Sequence, residues 1–249
     1  MESRLTHRKA SGSSGILTFE FENRARGGKV MVENHQPIEL DPAATSFVVI
    51  DMQNDYCSPG GDFDLRGIPI GPAQGILPNI RQLLDAARGR DIFVLYTAMV
   101  FDEFTYEDRH HKIVPERMRD RKLCRRGTWG AEVMDALTPR PEELTIEKCR
   151  YSAFYNTNLE VLLRNRGITT LILAGVVTNV CVESTARDAW HRDFDVIVVS
   201  DATAGYAEDL HEAALKNVAH LCGAVRPTDE VIRLLGIEAK TPAGRRTSG

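Results

Sequence analysis

The chain has 249 residues, 43% of them hydrophobic and 27% charged, with a formal net charge of −4. That balance supplies no clustered basic face for nucleic acid, no apolar run long enough to span a bilayer and no apolar leader, so the expectation is a cytoplasmic globular protein with neither nucleic acid nor membrane as partner. Five cysteines, at 57, 124, 149, 181 and 222, form no C-x-x-C pair and are odd in number, which argues against a disulfide framework and a zinc knuckle.

Residues 1–40 read as an N-terminal tail or arm, because basic residues and Ser11-Gly12-Ser13-Ser14-Gly15 interrupt any apolar stripe. The alternation Leu17-Thr18-Phe19-Glu20-Phe21 is compatible with a short strand, but a loosely ordered terminus is expected. One domain is expected over 41–236, with 237–249 as a C-terminal tail. Phe47-Val48-Val49-Ile50 is a short, continuous apolar run of the kind covered on both faces of a sheet, and it ends at Asp51. After a Gly- and Pro-rich segment, Ile76, Ile80, Leu83, Leu84 and Ala87 mark one stripe of an amphipathic helix ending near Arg88. Ile92 to Tyr96 forms the second strand.

Periodicity is lost over 101–127, a charged insertion that includes His110-His111-Lys112 and the basic stretch Arg117 to Arg126. Such insertions serve as lids or subunit contacts, and the plainer reading is a solvated basic surface. His110 and His111 are adjacent rather than spaced for chelation, so they are read as surface residues and no metal site is expected. A helix over Ala131 to Leu137 precedes the strand Leu144 to Glu147, which runs into Lys148. Thr157-x-x-Glu160 has capping-box spacing ahead of the next helix. Thr170 to Ala174 is a strand, followed by Gly175-Val176-Val177-Thr178-Asn179-Val180-Cys181 and a helix with Val182, Thr185, Ala186 and Ala189 facing inward. A strand at Val196 to Val199 ending at Asp201, a helix over Glu208 to Leu221, a short strand near Ala224 and a helix over Val231 to Leu235 complete the pattern.

Strands that alternate with helices predict an α/β fold: a three-layer, Rossmann-like arrangement with a six-stranded, mostly parallel sheet between helices. Neither G-x-G-x-x-G nor G-x-x-x-x-G-K-[ST] is present, so no nucleotide cofactor is expected.

Ligands of open α/β sheets bind beyond the carboxyl ends of the strands, and three ionisable residues occupy such ends: Asp51, Lys148 and Cys181. Each has a plain alternative: a turn cap, a surface charge, a small buried thiol. Together they make an acyl-transfer centre. Cys181, at a helix start where the dipole favours negative charge, is the nucleophile and is expected to be enriched in thiolate. Asp51 accepts its proton and later passes it to the departing nitrogen, and Lys148 steadies the charges. Backbone N–H groups of the turn, that of Cys181 included, are placed to stabilise an oxyanion.

Val48-Val49-Ile50-Asp51-Met52-Gln53-Asn54-Asp55, the Lys148 strand end, and Gly175 through Asp188 together resemble the isochorismatase-like cysteine hydrolases, and the likeness covers Asp41 to Leu235. The resemblance implies an Asp51, Lys148, Cys181 triad that cleaves amide or carbamoyl C–N bonds through a thioester without a cofactor. It also implies a cis peptide between Val176 and Val177, an oxyanion hole from the N–H groups of Val177 and Cys181, and a homo-oligomer. Gly127-Thr128-Trp129, Arg150 through Thr157 and Arg164-Asn165-Arg166-Gly167-Ile168 are most similar to ureidoacrylate amidohydrolases, with biuret, triuret and N-carbamoylsarcosine hydrolases as near relatives. The implied substrate is a small linear ureide, for whose planar group Asn54, Tyr151, Phe154 and Tyr155 are candidate contacts, core packing being the alternative for Phe154. Thr97 through Glu103 lacks the Asp-x-His metal motif that nicotinamidases of this superfamily carry. The insertion does not follow the ureidoacrylate pattern, which leaves open whether the far end of the substrate is a carboxylate or a second urea unit. A binding protein that keeps the fold without turnover is the rival of another class.

Overall fold

The computed structural model of the chain describes residues 18–23, 28–33, 40–105 and 123–236. Its first two strands, β1 (Thr18–Asn23) and β2 (Gly28–Glu33), pair antiparallel, with Phe19 opposite Val32 and Phe21 opposite Val30. Of the two readings of this segment, Thr18–Asn23 takes the short strand. A strand needs a partner to persist, and Val30-Met31-Val32 supplies one whose alternation is in step with the first run.

Six further strands form one sheet: β3 (Thr45–Ile50), β4 (Phe93–Met99), β5 (Leu144–Lys148), β6 (Thr170–Val176), β7 (Asp195–Ala204) and β8 (Ala224–Arg226). All neighbours are parallel, in the order β5-β4-β3-β6-β7-β8. The chain therefore winds outward from β3 to one edge, crosses back, and winds outward from β6 to the other. This order places the topological switch point, where a ligand crevice opens, between β3 and β6.

The helices are α1 (Asn54–Cys57), α2 (Asp62–Leu65), α3 (Gly71–Gly75), α4 (Leu77–Arg88), α5 (Leu159–Asn165), α6 (Glu183–Trp190), α7 (Glu208–Leu221) and α8 (Thr228–Leu234). Side chains alternate across each strand, so Phe47, Val49, Val94 and Ile172 pack with Ile80, Leu83 and Leu84 of α4 and Val231 of α8. Val48, Ile50, Leu95, Leu171 and Leu173 face the other way, onto Leu159 and Leu163 of α5, Ala186 and Ala189 of α6, and Val218 of α7. Burial on both faces explains why the strands read as unbroken apolar runs.

Several local expectations change. Residues 131–137 form no α-helix but two 3₁₀ turns, Trp129–Ala131 and Asp135–Leu137. The backbone between them is spent on the segment after β3: Asn54 N–H donates to Glu132 O at 3.0 Å, and Met134 N–H to Met52 O at 2.9 Å. Strand β7 does not stop before Asp201 but continues through Ala202-Thr203-Ala204, where Thr203 pairs with Gly175 beyond a register shift. Asp201 instead holds the start of α8, accepting from Thr228 N–H at 2.8 Å and Thr228 Oγ1 at 2.7 Å. The expected capping box does not form: Asn158, not Thr157, is the N-cap of α5, the Thr157 hydroxyl accepts from Leu159 N–H at 3.3 Å, and Glu160 turns to Arg192 Nε at 3.0 Å. His110, His111 and the basic stretch up to residue 122 lie outside the described residues.

The switch point depends on one glycine. Gly175 has φ +119, and a Cβ there would overlap the Ile50 carbonyl oxygen of the adjacent strand. Gly175→Ala is expected to lower the unfolding free energy by about 2–4 kcal/mol. Thermal unfolding would read this as a Tm lower by roughly 5–15 °C, and a shift under about 2 °C would contradict it.

Candidate active site

The ladder that pairs β3 with β4 extends one residue past Ile50, where Asp51 N–H donates to Thr97 O at 3.1 Å. Asp51 takes φ 49, an uncommon conformation for a residue other than glycine, and its side chain is buried. Lys148 is the last residue of β5, in register with Met99 of β4. Its Nζ lies 2.6 Å from Asp51 Oδ2, 3.1 Å from Arg150 O and 3.5 Å from Cys181 Sγ. The lysine and aspartate side chains are 0% and 1% exposed, so the pair is fully withdrawn from water.

Cys181 lies in a five-residue π-type turn, Thr178–Val182, between β6 and α6. The peptide between Val176 and Val177 is cis, and the Val177 carbonyl accepts from the N–H groups of Val180 at 3.0 Å and Val182 at 3.3 Å. The tertiary structure thus gathers Asp51, Lys148, Cys181 and the backbone of Val177 at the mouth of the switch point.

The electrostatics of the thiol depart from the expectation of an enriched thiolate. Burial pushes Cys181 well above the ordinary thiol range and the Asp51 charge pushes it further, which together outweigh the opposing effect of Lys148. The resting arrangement is therefore a neutral thiol beside an ion pair. Burial alone would depress the Lys148 ammonium, but the Asp51 carboxylate beside it prevails and raises it, so the lysine stays charged.

Of the four expected substrate contacts, Tyr151 stands at the surface, 38% exposed, with its hydroxyl raised by burial and then by Cys181 and Tyr206. Asn54 is committed elsewhere: its Nδ2 donates to Trp129 O at 2.9 Å and its Oδ1 accepts from Ser58 Oγ at 2.8 Å, tying α1 to the 3₁₀ turn. Phe154 is a core residue, packed against Phe194 at 5.8 Å between ring centroids with the Arg192 guanidinium over its other side. Tyr155 is 58% exposed, on the outer surface. The run Tyr151 to Tyr155 turns continuously, so its neighbouring rings point in different directions.

Sequence reasoning missed three neighbours. Thr97 Oγ1 donates to Asp51 Oδ1 at 2.6 Å. Gln53 spends its whole carboxamide on the loop ends around the site, accepting from Met99 N–H at 2.7 Å and donating to Met99 O and Ala131 O, both at 2.8 Å. Tyr56 is raised by burial and then by Cys124, Cys181 and Asp51, and its ring begins an edge-on chain to Phe63 at 5.0 Å and from there to Tyr206 at 6.1 Å. Spacing signals only Gln53, two positions after Asp51, and Tyr56, one helical turn further. Among the described residues, no three His, Cys, Asp or Glu side chains converge to hold a metal ion, and no helix is long and apolar enough to cross a membrane.

A folded-state pKa above the unfolded value contributes stability that is complete below the unfolded value and is lost as pH rises through and beyond it. For Cys181 that loss begins near pH 8.5, where an unfolded thiol ionises. Tm is therefore expected to fall between about pH 8.5 and 10.5, and less steeply in Cys181→Ala. Equal slopes in calorimetric scans of the two proteins would contradict the buried neutral thiol.

Comparison with known proteins identifies the family. The Isochorismatase domain model matches residues 45–230. The ureidoacrylate amidohydrolase RutB of Methylobacterium radiotolerans is 39% identical over 237 residues, covering 90% of this chain and 92% of the relative. A cysteine hydrolase from Pseudomonas syringae pv. phaseolicola superposes with a TM-score of 0.72 at 32% identity, over 81% of this chain and 98% of that one. The N-carbamoylsarcosine amidase of Thermoplasma acidophilum superposes with a TM-score of 0.60 at 27% identity, over 74% and 96%. By the span of the family model and the identity and coverage of these relatives, the chain belongs to the isochorismatase family of hydrolases.

Proposed function

We propose that this protein is a cysteine amidohydrolase that cleaves a C–N bond of a linear ureide, with ureidoacrylate as the first candidate substrate. The observation that carries the reading is the buried Lys148 ammonium, within 2.6 Å of a carboxylate oxygen and 3.5 Å of a thiol. The likeness to relatives named ureidoacrylate amidohydrolase supports the substrate class.

Asp51 takes the Cys181 proton as the sulfur attacks the ureide carbonyl carbon, so the thiolate exists only in the presence of an electrophile. Lys148 offsets the negative charge while it passes from carboxylate to sulfur. The carbonyl oxygen, now carrying that charge, meets the N–H groups of Val177 and Cys181. Collapse breaks the C–N bond, and protonated Asp51 delivers its proton to the departing nitrogen. A water, deprotonated by the same carboxylate, then adds to the thioester carbon, and sulfur leaves as the thiol once the proton returns.

Tyr151 and the aromatic chain Tyr56, Phe63 and Tyr206 supply the apolar surface against which a planar ureide packs. In this reading residues 41–236 are the hydrolase domain of a cytoplasmic homo-oligomer. The 101–127 insertion acts as a lid or subunit contact and 1–40 as an arm.

Purified protein given ureidoacrylate, biuret, triuret, N-carbamoylsarcosine and nicotinamide in parallel is expected to consume ureidoacrylate most efficiently, as read by mass spectrometry. Preferential loss of biuret or triuret would instead assign a neutral far end to the substrate. Cys181→Ala is expected to abolish hydrolysis with Tm nearly unchanged. Turnover retained in that variant would remove the mechanism, and no consumption of any ureide by the parent protein would favour a binding role.

A further inference from the structure

We propose that Thr97 is a positioning residue for the Asp51 carboxylate, holding the plane in which that group exchanges its proton with Cys181; the role rests on the reading of Asp51 as the base. Thr97 sits in β4 opposite Ile50, the last residue before Asp51, and is 1% exposed. The neighbouring strand thus brings a hydroxyl to the carboxylate from the side opposite the nucleophile's strand, because β3 lies between β4 and β6.

The two carboxylate oxygens are held by different donors. Lys148 Nζ holds Oδ2 at 2.6 Å, and the Thr97 hydroxyl holds Oδ1, also at 2.6 Å. The hydroxyl is itself oriented, since its oxygen lies 3.3 Å from the Asp51 N–H as an acceptor, which directs its single proton toward Oδ1. Lys148 alone cannot fix the plane. Its ammonium is a compact charge on a flexible stem, and it also serves the Arg150 carbonyl and the thiol. Two donors on two oxygens remove rotation about the Asp51 Cβ–Cγ bond and keep the remaining lone pairs turned to the sulfur. The other ionisable groups coupled to Asp51 are Tyr56, Cys57 and Cys124, all shifted toward their neutral forms, so Thr97 and Lys148 act on the carboxylate without a competing charge from them.

Valine keeps the shape of threonine without the donor, and serine keeps the donor without the methyl. The test measures kcat and KM for the ureide turned over by the parent protein, alongside the rate at which iodoacetamide alkylates Cys181, in the parent, Thr97→Val, Thr97→Ser and Asp51→Asn. Thr97→Val is expected to lose about 10- to 100-fold in kcat, as for one hydrogen bond to a charged acceptor, with KM within about twofold. Thr97→Ser is expected to recover to within about threefold of the parent. Alkylation should follow the same order. If Thr97→Val is insoluble, Thr97→Ala reads the same loss.

A Thr97→Val enzyme with parental kcat overturns the proposal, as does a serine variant no better than valine. Asp51→Asn separates the two readings. If it loses turnover while Thr97→Val does not, only the role of Thr97 fails; if it keeps both turnover and alkylation rate, the base assignment fails with it. Should the parent consume no ureide, the alkylation series alone decides, with equal rates in parent and Thr97→Val counting against the proposal.

Discussion

The site depends on a buried ion pair. Asp51 and Lys148 are both withdrawn from water, and removing one partner of such a pair costs about 3–5 kcal/mol because the other charge is stranded. Their attraction offsets the cost of burial only at close range, so every element that sets the 2.6 Å separation matters. The parallel registers of β3 with β4 and of β4 with β5 supply that control. They carry Asp51 and Lys148 to the same rim from strands that are not themselves adjacent. The thiol is the third member, and its neutral resting form follows first from burial and then from the carboxylate nearby, which together outweigh the ammonium.

Around this pair the polar groups are spent on holding loops rather than on solvent. Gln53 clips the segment after β3 to the end of β4 and to the 3₁₀ turn at Ala131. Asp55 accepts from the N–H groups of Cys124 at 2.6 Å and Asp62 at 3.1 Å, and lies so close against Gly130 that a Cβ there would overlap its carboxylate. The chain at residue 124, near the end of the 101–127 insertion, is thereby anchored beside Tyr56. These clamps hold the loops around the ion pair in place.

The sequence made some of this legible and hid the rest for identifiable reasons. Asp51, Lys148 and Cys181 stood out because each closes or closely follows a strand, and parallel strands deliver their carboxyl ends to one rim. Thr97 was invisible because its partner lies 46 residues away and only strand register brings them together. Asn54 looked well placed by proximity to Asp51, but α1 turns its amide toward Trp129. Phe154 and Tyr155 are adjacent aromatics that end in a core and on a surface, a difference set by the direction of a turn. The hairpin β1–β2 escaped because one alternating run was read without its partner.

What the sequence by itself determined is the alternation of strands and helices, the α/β fold that they imply, and the family. These follow from local patterns, the burial of continuous apolar runs and the residue that closes each one. Only the tertiary structure decided the protonation pattern, the donor on each carboxylate oxygen and the edge-on packing of Tyr56, Phe63 and Tyr206. The physical reason is distance: Lys148 meets an aspartate 97 residues away and a cysteine 33 residues away, and in a site without water their charges depend on ångström-scale separations that no linear spacing encodes.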